Sequence, residues 1–364
     1  MTVQEVCNAI EDISPLSYQE SYDNAGLIVG NPGKEISGGL ITIDVTEDVV
    51  EEAILKKCNM IIAHHPIIFK GLKKLTGKNY VERTVIKAIK NDVAIYAAHT
   101  NLDNVRVGVN AKICEKLGLE NCRVLVPLEN ELKKLVVFVP ENHADKVRSA
   151  ILAAGAGKIG NYDYCSFNSS GHGTFRAGNK SNPFVGKQGE LHSEEEIRIE
   201  TIFPKVKQAA IIQAMANAHP YEEVAYDIYP LENKYELAGG GMIGNLPLPV
   251  AENVFLKNLK DVFGTGCIKY TNLLQRNIIK VAVCGGSGSF MLKDAMAAKA
   301  DIYISGDFKY HELFDAEGKI LIADVGHFES EQFTKEVFYE LLMKNFPKFA
   351  LYLSEVKTNP VNYL

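Results

Sequence analysis

The chain has 364 residues, of which 46% are hydrophobic and 23% charged. That is an ordinary globular mix, so general disorder and a fibrous repeat are excluded, and at about 150 residues per domain two or three domains are expected. The 39 Lys and Arg stand against 45 Asp and Glu, a net charge of −6; with no block of like charge to track a phosphate backbone, nucleic acid is not an expected partner.

The longest apolar stretches, such as Asn59 to Phe69, are interrupted by histidines well short of the roughly 18 to 20 residues that span a membrane. Met1 to Ile13 also lacks a basic start before an apolar run, so a soluble, cytoplasmic protein is expected. The seven cysteines are scattered and form no C-x-x-C pair. Neither a disulfide framework nor a thiolate zinc site fits that spacing, so any metal has to be held by imidazole and carboxylate.

In chain order, Thr2 to Glu5 is a capping box that opens a helix stopping before Pro15. Strand Leu40–Val45, helix Glu47–Lys57, strand Asn59–Ala63, helix Glu82–Lys90, strand Val93–Ala98 and helix Val109–Leu117 follow, the last ended by Gly118. Apolar strands alternating with helices predict a parallel-rich α/β sheet. The character changes near Pro127 to Glu131. Strand Lys134–Val139, helix His143–Ala154, strands Tyr162–Asn168 and Glu196–Phe203, helix Val206–Ala218 and strand Val224–Tyr229 give the order βαββαβ, a ferredoxin-like arrangement. Asn168 to His192, rich in Gly, Ser and Asn, reads as a long loop or a hairpin arm, and Gly239 to Gly244 closes the region. The α/β pattern then resumes with helix Val250–Val262, strand Lys280–Cys284, helix Phe290–Ala298, strand Asp301–Ser305, helix Tyr310–Glu317 and strand Ile320–Asp324. A long helix Phe328–Asn345 and a strand Ala350–Ser354 complete it. The expected fold is α/β: two linked lobes, residues 1–128 and 237–364, forming one body, with an α+β module, 129–236, inserted between them.

Candidate chemistry gathers just past strand ends. His64 and His65 follow an apolar strand, where open α/β sheets place ligands, and could present two neutral imidazoles to one crevice; a solvated pair in a loop is the plainer alternative. His99 and Asp103 follow the next strand, Asp103 also being a natural helix cap or turn former. His327 and Glu331 lie four apart at a strand-to-helix junction, which puts both on one helix face. Together His64, His65, Asp103, His327 and Glu331 match a dinuclear N/O site, and the donor types suit zinc, iron, manganese or cobalt. Weaker signals are the glycine loop Cys284 to Ser289, which could cradle an anion or only pack a turn, and Lys70, Lys73, Lys74 and Lys78, which could attract a triphosphate or only be solvated. Asp307 or His311 could orient a ligand or give a proton, and His219 to Glu223 reads as a structural or interface motif.

Tyr22 to Gly30, Ile43 to Thr46, Ala63 to Pro66, His99 to Asp103, Cys284 to Gly288, Ser305 to Asp307 with His311, and Gly326 to Glu331 resemble the Nif-three-like dinuclear metal family, whose members include GTP cyclohydrolase I type 2 homologues. Tyr22 stands where Trp is frequent in that family. The middle segment, with Ala218 to Glu223 and Ala225 to Asp227, looks like the PII/CutA-like insert of longer members of the YqfO type. The resemblance implies two divalent ions per chain (zinc, iron or manganese) on His64, His65, Asp103, His327 and Glu331, in a toroidal homohexamer with the insert as a lid. It implies a metal-dependent hydrolase acting on a nucleotide or other small molecule, for example by attack of water at purine C8 of GTP. His99 and His311 are the candidates for moving the proton. A non-catalytic metal-binding or metal-delivering assembly, its insert sensing a ligand, is the alternative.

Overall fold

Thr2 and Glu5 exchange the hydrogen bonds of a capping box and start the helix Val3–Glu11, whose buried stripe is Val3, Val6, Cys7 and Ile10. Thr46 and Asn79 are the N-caps of Glu47–Leu55 and Tyr80–Lys90, each side chain accepting from a backbone N–H in the first turn. The computed structural model describes residues 1–364. Met1–Pro127 and Glu236–Leu364 form one unit, and Leu128–Tyr235 a second.

The first unit holds two sheets. One runs in the order Gly26–Val29, Ala94–Ala97, Met60–Ala63, Gly39–Thr42 and Leu351–Leu353, parallel except for its first strand. The three middle strands are buried at every position, as a sheet covered on both faces requires. The other runs Lys269–Tyr270, Leu321–Asp324, Ile302–Gly306, Asn277–Ser287, Tyr235–Ala251 and Glu120–Leu128, with the second, third and fourth strands mutually parallel. No helix is long and apolar enough to cross a membrane.

A division into lobes at 128 and 237 therefore does not follow the sheets. The C-terminal Leu351–Leu353 joins the N-terminal sheet beside Gly39–Thr42, and Glu120–Leu128, not expected as a strand, edges the C-terminal one. Each edge thereby gains backbone partners from the distant third of the chain, a pairing that no local pattern encodes. Gly239 to Gly244, just past the end of the second unit, lies within the strand Tyr235–Ala251. There Gly239, at φ +147°, leaves no room for a Cβ, which would lie 2.1 Å from the Val126 carbonyl oxygen. The helix expected over 328–345 is two helices, His327–Glu331 and Thr334–Asn345, and Tyr310–Ala316 is a 3₁₀ helix.

In the second unit the elements run βαββαβ, and its four antiparallel strands lie in the order Phe167–Arg176, Leu191–Pro204, Leu132–Pro140 and Tyr226–Pro230. Leu135, Val137, Ile199 and Phe203 of the sheet pack with Val147, Ile151, Ile211 and Met215 of helices Ala144–Ala153 and Gln208–Ala218. The strand read at 162–168 spans Phe167–Arg176, which pairs with Leu191–Pro204 as a hairpin arm, one of the two forms expected of 168–192, and 177–190 is the loop between the two strands. Hydropathy hides the ladder because the register sets Gly171 and Gly173 opposite Glu196 and Glu194, so acidic side chains fill the room that glycines leave.

Candidate metal centre

His64 and His65 continue the parallel ladder beyond Met60–Ala63: their N–H groups donate to the carbonyls of Thr42 and Ile43, at 3.3 and 2.9 Å. Both imidazoles are thus held at the carboxyl edge of the first sheet. Ala97, on the neighbouring strand, leads into His99 and the one-turn helix Thr100–Asp103 at the same edge. From the second sheet, Leu321–Asp324 turns through Gly326, at φ +98°, into His327–Glu331, where the four-residue spacing puts Nε2 of His327 3.1 Å from Oε2 of Glu331.

Four histidines share one arrangement, in which Nδ1 is engaged by an oxygen. His64 Nδ1 meets the Ala98 carbonyl at 3.0 Å, His65 Nδ1 the Asp44 carboxylate at 2.7 Å, His99 Nδ1 Asp23 at 2.8 Å, and His327 Nδ1 Asp307 at 2.6 Å. A hydrogen bond at Nδ1 fixes the tautomer and leaves Nε2 to a ligand. At the centre lies the buried Glu331. Its Oε2 is 2.9 Å from His65 Nε2 and 3.1 Å from His327 Nε2, while its Oε1 is 3.5 Å from His64 Nε2. Asp103 Oδ1 is 3.7 Å from the same His64 nitrogen.

The donors therefore fall into two triads that share Glu331: His65, His327 and Glu331, and His64, Asp103 and Glu331. Both His64 Nε2 and Asp103 Oδ1 are buried without a hydrogen-bond partner, an arrangement that costs about 1–3 kcal/mol per group unless a cation completes it. The residues fit a metal. His64, His65 and His99 form a third cluster, their rings 4.9 to 5.3 Å apart.

Electrostatics follow from this geometry. Burial works against a charged His65, but hydrogen bonds to Asp44 and Glu331 outweigh it and raise its pKa to about 10. For His327 burial is likewise outweighed, by Glu331 and then Asp307, giving about 9. Burial pushes the Asp103 carboxyl up to about 7, helped by the charge of Glu331. Burial opposes the charge of Glu331 too, yet the imidazoles around it hold its pKa well below the ordinary value. Asp23 is held at about 2, the hydrogen bonds of His99 and Thr100 overcoming burial.

Of the residues named from sequence, His64, His65, His99, Asp103, His327 and Glu331 come together. His311 does not. It is exposed in the 3₁₀ turn Tyr310–Ala316, with its ring against Tyr310 and Phe314, and is not among the residues that line the cavity or form the clusters. In the glycine loop two N–H groups are already engaged: Gly285 donates to Asn110 Oδ1 and Gly286 to Ser330 Oγ, both at 2.8 Å. Lys70, Lys73, Lys74 and Lys78 are exposed and line no wall of the site. Asp23 and Asp44 were missed as site residues. Asp44 stands two residues past a buried strand, at the sheet edge that carries His64, and that placement was the available signal.

Gly286 has a separate task. It sits at φ +64°, and a Cβ there would lie 2.1 Å from Glu331 Oε1. Gly286→Ala is expected to destabilise the protein by about 1–3 kcal/mol and to push Glu331 out of place. Thermal unfolding and metal content of the variant check it, and an unchanged pair would refute the close-approach role.

The site floors a cavity of about 670 Å³ whose rim carries the exposed rings of Tyr22, Phe69, Tyr80 and Phe290. The Duf34/NIF3 (NGG1p interacting factor 3) family pattern matches residues 1–360. This chain belongs to the DUF34/NIF3 family. It is 42% identical over 367 residues to a Halalkalibacterium halodurans protein named GTP cyclohydrolase 1 type 2 homolog, covering 99% of this chain and 98% of the relative. A Bacillus subtilis protein of the same name is 39% identical over 366 residues, with the same two coverages. Among solved structures, a Bacillus cereus protein related to NIF3 superposes with a TM-score of 0.88 at 40% identity, covering 100% of this chain and 99% of that one. Staphylococcus aureus protein SA1388 gives 0.80 at 27% identity with the same coverage. The NIF3-family fold and the His/Glu cluster thus coincide in one chain.

Proposed function

We propose that this NIF3-family protein is a metal-dependent hydrolase with a dinuclear centre on His64, His65, Asp103, His327 and Glu331. The observation that carries the reading is the division of Glu331, with one oxygen facing His65 and His327 and the other facing His64. Divalent ions bound there supply Lewis acidity toward a water and a substrate oxygen. Zinc, iron and manganese all suit imidazole and carboxylate donors.

The chain's own residues supply the rest. Asp23 holds His99 through Nδ1, so Nε2 is the atom available on the side of His64 and His65, and the proton-moving role falls to His99, which lines the cavity as His311 does not. Tyr22, Phe69, Tyr80 and Phe290 suit a planar ring, which favours a heteroaromatic substrate. The name of the relatives makes GTP the first compound to test, water attack at purine C8 releasing formate. Metal-loaded protein should release formate from GTP above a Glu331→Ala control; equal rates remove the cyclohydrolase part of the proposal. His99→Gln is expected to lower that turnover by about 10²- to 10⁴-fold with the metal count unchanged. Asp23→Asn, which frees the ring tautomer, should reproduce part of the loss. If His99→Gln turns over normally, the proton passes elsewhere.

A toroidal homohexamer and a cytoplasmic location belong to the same reading, sedimentation being the check on the former. A second reading is a non-catalytic metal-binding or metal-delivering assembly in which Leu128–Tyr235, as a PII/CutA-like unit, senses a ligand. The separate core of that unit supports it. Metal transfer to an apo-acceptor without substrate turnover would favour this alternative.

A further inference from the structure

The unit Leu128–Tyr235 contains a cavity of its own, about 710 Å³, with walls drawn from residues 138–225. One wall is the ribbon of Phe167–Arg176 and Leu191–Pro204; the others are the 177–190 loop and the turn after Gln208–Ala218. The loop is fastened at several points. Gln188 Nε2 donates to the Ser181 carbonyl at 2.6 Å, Gly189 N–H to the Ala177 carbonyl at 2.8 Å, and Asn182 N–H to Glu222 Oε1 at 2.7 Å. These bonds hold the cavity open in the folded chain rather than leaving it to a mobile arm.

Three aromatic rings face one another across it. Tyr221 lies 6.1 Å from Phe175 and 6.3 Å from Phe184, and it is set by His219, whose Nε2 bonds the Phe138 carbonyl at 3.0 Å and whose Nδ1 accepts from Tyr221 N–H at 3.1 Å. That explains His219 to Glu223 as a motif that positions a ring. Beside Tyr221 stands the Glu196 carboxylate, packed over Gly173, where a Cβ would come within 2.1 Å of Oε2. No ion pair reaches Glu196. Of its neighbours, Arg198 is bound to Glu200 at 2.9 Å and His192 to Glu194 at 2.8 Å. Glu196 is partly buried, and burial raises its pKa, with the Tyr221 hydroxyl easing the effect as a hydrogen-bond donor and the charge of Glu194 adding to it.

We propose that this cavity binds a small organic cation, its ammonium or guanidinium group against the Glu196 carboxylate and its apolar body among Phe175, Phe184 and Tyr221. A carboxylate beside aromatic faces is complementary to such a cation twice over, through a charge-assisted hydrogen bond and through the ring quadrupoles. The same walls carry Glu222 and Glu223 beside Glu196, against Arg176 and an Arg198 already paired with Glu200. The site is independent of the metal centre, so either reading can fail without the other.

The test is calorimetric titration of the full chain with benzylamine, benzyl alcohol and benzoate, three probes of similar body and different charge. Benzylamine should bind saturably and the other two at least about tenfold more weakly. Glu196→Gln, nearly isosteric, should weaken benzylamine by about tenfold or more with an unchanged melting temperature, while Glu195→Gln leaves it alone. Glu331→Ala should bind benzylamine as the wild type does. Equal binding of all three probes, no saturable binding of benzylamine, or an unaffected Glu196→Gln protein overturns the proposal.

Discussion

The Glu331→Gln protein is expected to hold at most about one divalent ion per chain where the wild type holds about two. Both triads use this carboxylate, one oxygen each, so a single substitution removes a donor from each position. The amide keeps the volume but loses the charge that the three surrounding imidazoles face. In the metal-free protein the same change leaves His65 and His327, whose Nε2 atoms are 3.4 Å apart, without the carboxylate between them. Removing one member of a buried ionic cluster costs about 3–5 kcal/mol, so a lower melting temperature should accompany the metal loss. Elemental analysis of freshly purified wild type and variant decides the matter. Two ions retained in Glu331→Gln would rule out a bridging role, and a wild type that neither carries nor takes up zinc, iron or manganese would sink the metal reading itself.

Metal uptake is expected to strengthen as pH rises. In the metal-free chain His65 titrates at about 10 and His327 at about 9, both raised by their carboxylate neighbours against the opposing effect of burial. Both are protonated at neutral pH, and an ion has to displace those protons to use Nε2. The direction for stability is opposite. A histidine raised above its unfolded value of 6.5 stabilises the metal-free fold fully below that pH, and the contribution is lost as pH rises through about 9 and 10. The melting temperature of metal-free protein should therefore fall from pH 6.5 upward while the increment gained on adding manganese grows. Scans with and without manganese between pH 6 and 9 measure both, and an increment that is constant or shrinks with pH would contradict the assignment of His65 and His327 as ligands.

Much of this site was legible in one dimension because strand ends mark sheet edges. His64, His65, His99 and Asp103 follow buried strands of one parallel sheet, so their convergence needed only the rule that such sheets present ligands at the carboxyl edge. The spacing of His327 and Glu331 carried its own geometry. His311 satisfied the same positional logic and yet lines no part of the cavity; it lies exposed in a 3₁₀ turn with its ring against Phe314, a packing that the strand end does not encode. The ribbon Phe167–Arg176 was legible only as one of two readings, a loop or a hairpin arm, for a different reason. Its stability lies in a ladder to Leu191–Pro204 and in glycines that make room for glutamates, neither of which leaves a periodic apolar signal.

The sequence by itself determined the α/β class, the βαββαβ order of the middle segment and the imidazole and carboxylate donor set. Those depend on short-range periodicity and on residue chemistry. Only the tertiary structure decided which oxygen of Glu331 faces which histidine, that Asp23, Asp44 and Asp307 stand behind three of the imidazoles, and that Leu351–Leu353 and Glu120–Leu128 change sheets. These are contacts between segments far apart in the chain. Their distances are set by how two sheets pack and pair at their edges, a balance of burial and backbone hydrogen bonding that no local stretch of sequence contains.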